Sequence, residues 1–198
     1  FGDIAASSFG GMVYYTSPDR SSLLEQLQSD SMKAICDADW KDLTIERLPE
    51  IPNFTLLVGW TGEVAITDSL IQATEKKRKV ETDSAFYKEF LAKSHTIVQG
   101  LQSAWNQQDI PAIQEGIRSN RALLNKFAQE MQLEIETPAL QTLCDLAEQN
   151  GACAKTSGAG GGDCGICFTQ NETQRQQIET QWAKAQIQVL PLTIAEAW

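Results

Sequence analysis

The chain has 198 residues, 42% of them apolar, enough to build a core in one large domain or in parts of two. Its 16 Lys and Arg against 26 Asp and Glu leave a formal charge of −10, which excludes a general nucleic-acid binder, because affinity for a phosphate backbone comes from many cationic contacts. No apolar run nears the roughly 20 residues that cross a bilayer, so no membrane partner is expected.

The chain opens on Phe1 and runs straight into "FGDIAASSFGG" without a basic and apolar leader, a start that reads as the interior of a longer polypeptide. Gly10-Gly11 mark a turn, Met12 to Tyr15 a short strand, and Ser17-Pro18-Asp19 a second turn. "SSLLEQLQ" reads as a short helix. "DLTIERLPEIPN" alternates as a strand does and stops at Pro49 and Pro52, a plausible boundary. "FTLLVGW", Phe54 to Trp60, reads as a buried strand.

The pattern then turns helical. Thr82-Asp83 cap a segment in which Phe86, Phe90, Leu91, Ile97, Val98, Leu101 and Trp105 recur at helical spacing. Asp109 and Pro111 open a second helix carrying Ile113, Ile117, Leu124, Phe127 and Met131 on one face. A third starts at Thr137-Pro138, runs through Leu140, Leu143, Cys144 and Ala147, and stops at Asn150-Gly151. A fourth is capped by Asn171 and shows Ile178, Trp182 and Ala185.

Five cysteines at irregular spacing, Cys36, Cys144, Cys153, Cys164 and Cys167, suit free thiols in a reducing, cytoplasmic setting better than a disulfide framework. Cys164 and Cys167 form a CxxC, but no second pair exists and His95 is the only histidine, so no metal site is assigned. His95 reads as a surface or interhelical residue. "EKKRK", Glu75 to Lys79, reads as a solvated charged face.

One stretch stands apart. "AKTSGAGGGDCGIC", Ala154 to Cys167, places a glycine run between the helix ending at Gly151 and the apolar "CGICF" strand. Nucleotide loops of the Walker and dinucleotide types run strand, glycines, helix, so that the helix N-terminus faces the phosphate, and the order here does not match. Residues without β-carbons leave two physical uses open: several N–H groups turned to one anion, or close approach of a neighbouring segment. A plain turn would leave Lys155, Ser157 and Asp163 unexplained.

"KTSGAGGGDCGI", Lys155 to Ile166, resembles the third conserved motif of the GHMP small-molecule kinases, in the form it takes in the phosphomevalonate kinase subfamily. "GDIAASSFGG", Gly2 to Gly11, and "LLVGWTGEVAITDSLI", Leu56 to Ile71, resemble the same subfamily in the expected order. The resemblance implies an α+β fold with a ferredoxin-like sheet covered by helices. Residues 1–52 would be the end of the N-terminal domain and 53–198 the C-terminal domain. It also implies ATP-dependent phosphorylation of (R)-5-phosphomevalonate to 5-diphosphomevalonate, with Mg²⁺, in isoprenoid synthesis. The family's nucleotide loop lies upstream of the first motif and has no counterpart here, so the chain reads as the C-terminal portion of a longer enzyme, inactive alone.

By the same resemblance Asp3 is the catalytic aspartate, although it would also serve as the N-cap of the helix "IAASSF". Lys155, Ser157, Gly158, Ala159, Gly160, Gly161 and Thr67 are the implied substrate contacts. Ile66 stands where the family usually carries Ser, and Glu63 adds charge where relatives tend to be small, so Thr67 or Ser69 would have to serve at that loop. Other readings remain: a non-catalytic binding or oligomerisation module, or a GHMP kinase with another acceptor. A homodimer is compatible with either.

Overall fold

A computed structural model describes residues 2–62, 84–158 and 160–195. The chain gathers into two compact units, Phe1–Glu50 with Ile194–Trp198, and Ile51–Thr193. The division falls between the two prolines Pro49 and Pro52, neither of which can donate a ladder hydrogen bond.

In the first unit, helix α1 (Gly2–Phe9) turns at Gly10-Gly11 into strand β1 (Met12–Thr16). β1 pairs antiparallel with β2 (Thr44–Leu48), Met12 opposite Leu48 and Thr16 opposite Thr44. Two short helices lie between the strands, α2 (Arg20–Ser29) and α3 (Met32–Asp37). Asp19 caps α2 by accepting from the amides of Ser21 and Ser22, and Ser31 caps α3. The Arg47 guanidinium donates to the Phe9 carbonyl at 3.0 Å, tying β2 to the end of α1. α3 is absent from the sequence-based reading because six residues with one buried side chain, Ile35, make no periodic pattern.

The second unit runs β3 (Thr55–Trp60), α4 (Ala85–Asn106), α5 (Ile110–Met131), α6 (Pro138–Gln149), β4 (Cys153–Thr156), β5 (Cys164–Thr169), α7 (Glu172–Lys184) and β6 (Gln188–Leu190). Its strands form one antiparallel sheet in the order β4-β5-β3-β6. Numbered within the unit this is 2-3-1-4, the strand order of a ferredoxin-like sheet, as expected from the resemblance. The helix starts follow the capping residues: Asp109, Thr137 and Asn171 accept from the amides of Ala112, Leu140 and Gln174. α4 is capped by Ser84, whose hydroxyl accepts from Tyr87; Thr82 and Asp83 lie outside the described residues.

Side chains alternate across the sheet. Leu57, Cys167 and Ala154 stand in register on one face and form a core with Leu143, Cys144 and Ala147 of α6 and Ile178 and Trp182 of α7. On that face Gly59 lies opposite Gly165. A β-carbon on Gly165 would come within 2.5 Å of Leu143 Cδ2, and one on Gly59 within 2.8 Å of Leu143 Cδ1 and Trp182 Cζ3. The two glycines therefore open the slot that Leu143 fills. The buried indole of Trp182 donates to the Leu143 carbonyl at 2.9 Å, so the large ring leaves no unpaired N–H. The opposite face carries Phe168, stacked on Phe54 at 5.1 Å and met edge-on by Trp105 of α4 at 5.5 Å. A separate apolar cluster joins α4 to α5, with Phe90 and Phe127 ring centroids 4.3 Å apart.

Among the described residues no helix is long and apolar enough to cross a membrane. Filling the slot tests this packing. Gly165→Val is expected to lower unfolding free energy by about 1–3 kcal/mol through overpacking against Leu143, read from the midpoint of a chemical denaturation curve.

Candidate functional site

The glycine run connects two paired strands. β4 and β5 are antiparallel, Thr156 opposite Gly165, and the Ser157 amide donates to the Cys164 carbonyl at 3.0 Å, so residues 157, 158 and 160–163 belong to the loop of a hairpin. The sequence-based reading ran directly from the α6 terminus into the glycines. The four-residue strand β4 intervenes, and the order is strand, glycines, strand, which again lacks the following helix of a nucleotide loop.

The far side of the loop is used by the protein itself. Gly160, Gly161, Gly162 and Asp163 all have positive φ, at 81°, 82°, 133° and 57°. The Gly161 amide donates to the Ile135 carbonyl at 2.8 Å, and a β-carbon on Gly160 would lie 2.2 Å from that same oxygen. The Asp163 carbonyl accepts from both the amide and the hydroxyl of Thr61, at 2.8 and 2.9 Å, which fastens the loop to the end of β3. The near side is different. Ser157 and Gly158 are exposed, and a β-carbon on Gly158 would meet nothing within 4 Å.

Lys155 stands on β4 opposite Ile166, half-buried, with its ammonium donating to the Thr156 carbonyl at 2.7 Å. Burial pulls its pKa below that of an ordinary lysine. The Thr156 hydroxyl is buried with no hydrogen-bond partner among the described residues. Lys155, Ser157, Gly158, Gly160 and Gly161 are thus brought together in one hairpin. Thr67 and Ala159 lie outside the described residues, as do Glu63, Ile66, Ser69 and the Glu75 to Lys79 cluster.

Asp3 belongs to the first unit, in the first turn of α1 and exposed to solvent. It sits inside the helix, which already begins at Gly2, and not at the N-cap position. The Ile4 backbone amide holds its carboxyl below the usual carboxylate range, so it is ionised at neutral pH.

The CxxC makes no ligand pair. Residues three apart on a strand point to opposite faces, and Cys167 is buried in the α6-facing core while Cys164 is half-buried on the other side. All five cysteines are free thiols. Among the described residues no group of three His, Cys, Asp or Glu could hold a metal ion. His95 is exposed on α4.

One polar cluster was missed by sequence reasoning. Arg121 of α5 donates through Nε to Glu136 at 2.7 Å, through Nη2 to Asp145 at 2.7 Å and through Nη1 to Glu148 at 2.9 Å. Asn125, one turn along α5, donates to the other oxygen of Glu136. Burial opposes the charge on Arg121, and the three carboxylates overcome it, raising its pKa further. A signal was present in the sequence: Arg121 interrupts the apolar stripe of Ile113, Ile117 and Leu124, and a charge on a buried face needs partners.

The two ends of the hairpin loop are expected to respond differently to added side chains. Gly160→Val should destabilise the protein by about 2 kcal/mol or more, from positive φ and collision with Ile135, whereas Gly158→Ala should stay within about 0.5 kcal/mol of wild type in thermal melts.

Residues 99–188 match the family described as GHMP kinases C terminal. The chain is 37% identical over 196 residues to the phosphomevalonate kinase of Streptomyces sp. (strain CL190), covering 98% of this chain and 52% of that protein. Among solved structures, the Lin0012 protein from Listeria innocua superposes with a TM-score of 0.93 at 31% identity, covering 100% of this chain and 55% of the other. The Streptococcus pneumoniae phosphomevalonate kinase in complex with phosphomevalonate and AMPPNP superposes at 0.80 with 29% identity, covering 96% and 54%. The chain thus spans about half the length of the relatives it matches. With the ferredoxin-like sheet, the glycine hairpin and these matches together, the chain carries a GHMP kinase C-terminal domain.

Proposed function

We propose that the chain works as part of a phosphomevalonate kinase, transferring the γ-phosphoryl group of ATP to the phosphate of (R)-5-phosphomevalonate to give 5-diphosphomevalonate and ADP in isoprenoid synthesis. The observation that carries this reading is the 37% identity to a curated phosphomevalonate kinase, which runs through 196 residues and so through both units. The hairpin supports it: an exposed Ser157-Gly158 edge beside a lysine, on a loop whose other side is locked to the protein, is suited to an anionic group.

The chemistry asks little base catalysis of the protein. A phosphate monoester is largely dianionic at neutral pH and is already a nucleophile, so positioning and charge neutralisation dominate. Asp3, held ionised by the Ile4 amide, fits an orienting role and not that of a proton-accepting base tuned near neutrality. Lys155 is assigned to the acceptor phosphate. Among the described residues its ammonium donates to the Thr156 carbonyl and faces no carboxylate, and a phosphate oxygen would give it a countercharge.

Mg²⁺ in phosphoryl transfer takes most of its ligands from phosphates and water, and one carboxylate such as Asp3 fits that requirement where the described residues form no full protein cage. Bound there, the ion would neutralise charge developing on the phosphates. Among the described residues no glycine run stands between a strand and a following helix, so none is assigned to the donor nucleotide.

Two substitutions test the assignments in the enzyme containing this chain. Asp3→Asn should lower kcat by about 10² with a smaller change in the KM for ATP, because orientation matters most in the transition state. Wild-type turnover would remove Asp3 from the reaction.

Lys155→Met should weaken phosphomevalonate binding about tenfold or more while leaving stability equal or higher, as measured by calorimetry and thermal melting. The sign follows from its depressed pKa: the unfolded chain holds the Lys155 proton more tightly, so wild-type stability rises as pH approaches the ordinary lysine value. That rise should be smaller in the variant. Unchanged phosphomevalonate affinity would sink the assignment.

A further inference from the structure

The loop between α5 and α6, residues 132–137, is tied down more firmly than a short helix connection requires. Gln132 ends α5 in the left-handed conformation, and Thr137 caps α6. Between them, Ile135 places its side chain in the cluster with Phe127, Ala128 and Met131. The next residue, Glu136, is 7% exposed and uses both carboxylate oxygens, one on Arg121 and the other on Asn125. Arg121 itself is 12% exposed.

Two anchors one helical turn apart fix the Glu136 carboxylate in position and orientation, and the neighbouring Ile135 is pinned by its own packing. The peptide group joining them is thereby left one orientation. Its oxygen, the Ile135 carbonyl, is the acceptor for the Gly161 amide and the atom against which Gly160 closes.

A stability role alone does not account for this cluster. Arg121 meets three carboxylates, an excess of two negative charges; Glu136 is buried while Asp145 and Glu148 are 45% and 31% exposed, and neither a buried ion pair nor an exposed one contributes much net stability compared with apolar packing. What such a cluster does supply is a single geometry, since any shift of Glu136 breaks hydrogen bonds in a poorly hydrated place.

We propose that Arg121 and Glu136 are positioning residues for the glycine hairpin, acting through the Ile135 carbonyl to hold Ser157 and Gly158 where the acceptor phosphate binds. The second half of this statement rests on the function proposed above. The first half does not.

Hydrogen–deuterium exchange on the 198-residue chain separates the two. Glu136→Ala should speed exchange in the peptide spanning 157–163 by about tenfold and leave the β3 peptide unchanged, with Glu136→Gln intermediate because it keeps one anchor. Should Glu136→Ala fail to fold, Asn125→Ala removes the second anchor alone and should still loosen the hairpin selectively.

In the enzyme containing the chain, the same variants should raise the KM for phosphomevalonate by a larger factor than they lower kcat. Equal acceleration in the hairpin and in β3 would reduce the cluster to general stabilisation and overturn the inference, as would an unaltered hairpin. A loosened hairpin with an unchanged KM would uphold the positioning role and overturn the hairpin's part in acceptor binding.

Discussion

Leu143 fills the space that two missing β-carbons leave in the middle of the sheet, and the arrangement of the elements within the second unit follows from that contact. With side chains at Gly59 and Gly165, α6 could not come this near to β3 and β5. Because it does, Trp182 can reach the Leu143 carbonyl and close α7 over the same core. The position of α6 in turn fixes Thr137 at its start and, through the short connector, Ile135 and Glu136. A glycine pair on one side of the sheet therefore sets where the hairpin loop at the end of β4 is held.

Several cations of the second unit are already engaged within the protein. In a chain of net charge −10, Arg121 is engaged by three carboxylates, Arg175 by Glu179, and Arg118 by the Ala152 carbonyl where β4 begins. Among the described residues Lys155 has only a neutral carbonyl oxygen, and burial works against its proton. If it binds two polyanions, as proposed above, a protein with this balance has to generate its positive field over a few ångströms, by local dipoles and ions, and not by its surface as a whole.

The long elements were legible in the sequence because their signals are local. Asp109, Thr137-Pro138 and Asn171 each announce a helix within a few residues, and the apolar spacing of Ile113, Ile117 and Phe127 does the rest. β4 and β6 were not legible. Cys153 to Thr156 is short and buried on both faces, so it shows no alternation, and Gln188 to Leu190 is a three-residue edge strand. The hairpin's lysine, serine and glycines could be picked out as a group, but the division of labour within it could not. That division depends on Ile135, which reaches Gly160 across the fold, and nothing in the local sequence names so distant a partner.

The split of Cys164 and Cys167 between the two faces of β5 bears on how the chain tolerates oxidants. The sulfurs cannot meet without dismantling the strand, and burial pushes the Cys144 thiol up to about 12 and that of Cys153 up to about 11, far from the reactive thiolate. Cys36 is the exposed thiol, on α3 of the first unit. Covalent cross-linking between copies, if oxidation drives it, will therefore start from that helix before it reaches the half-buried Cys164 of β5.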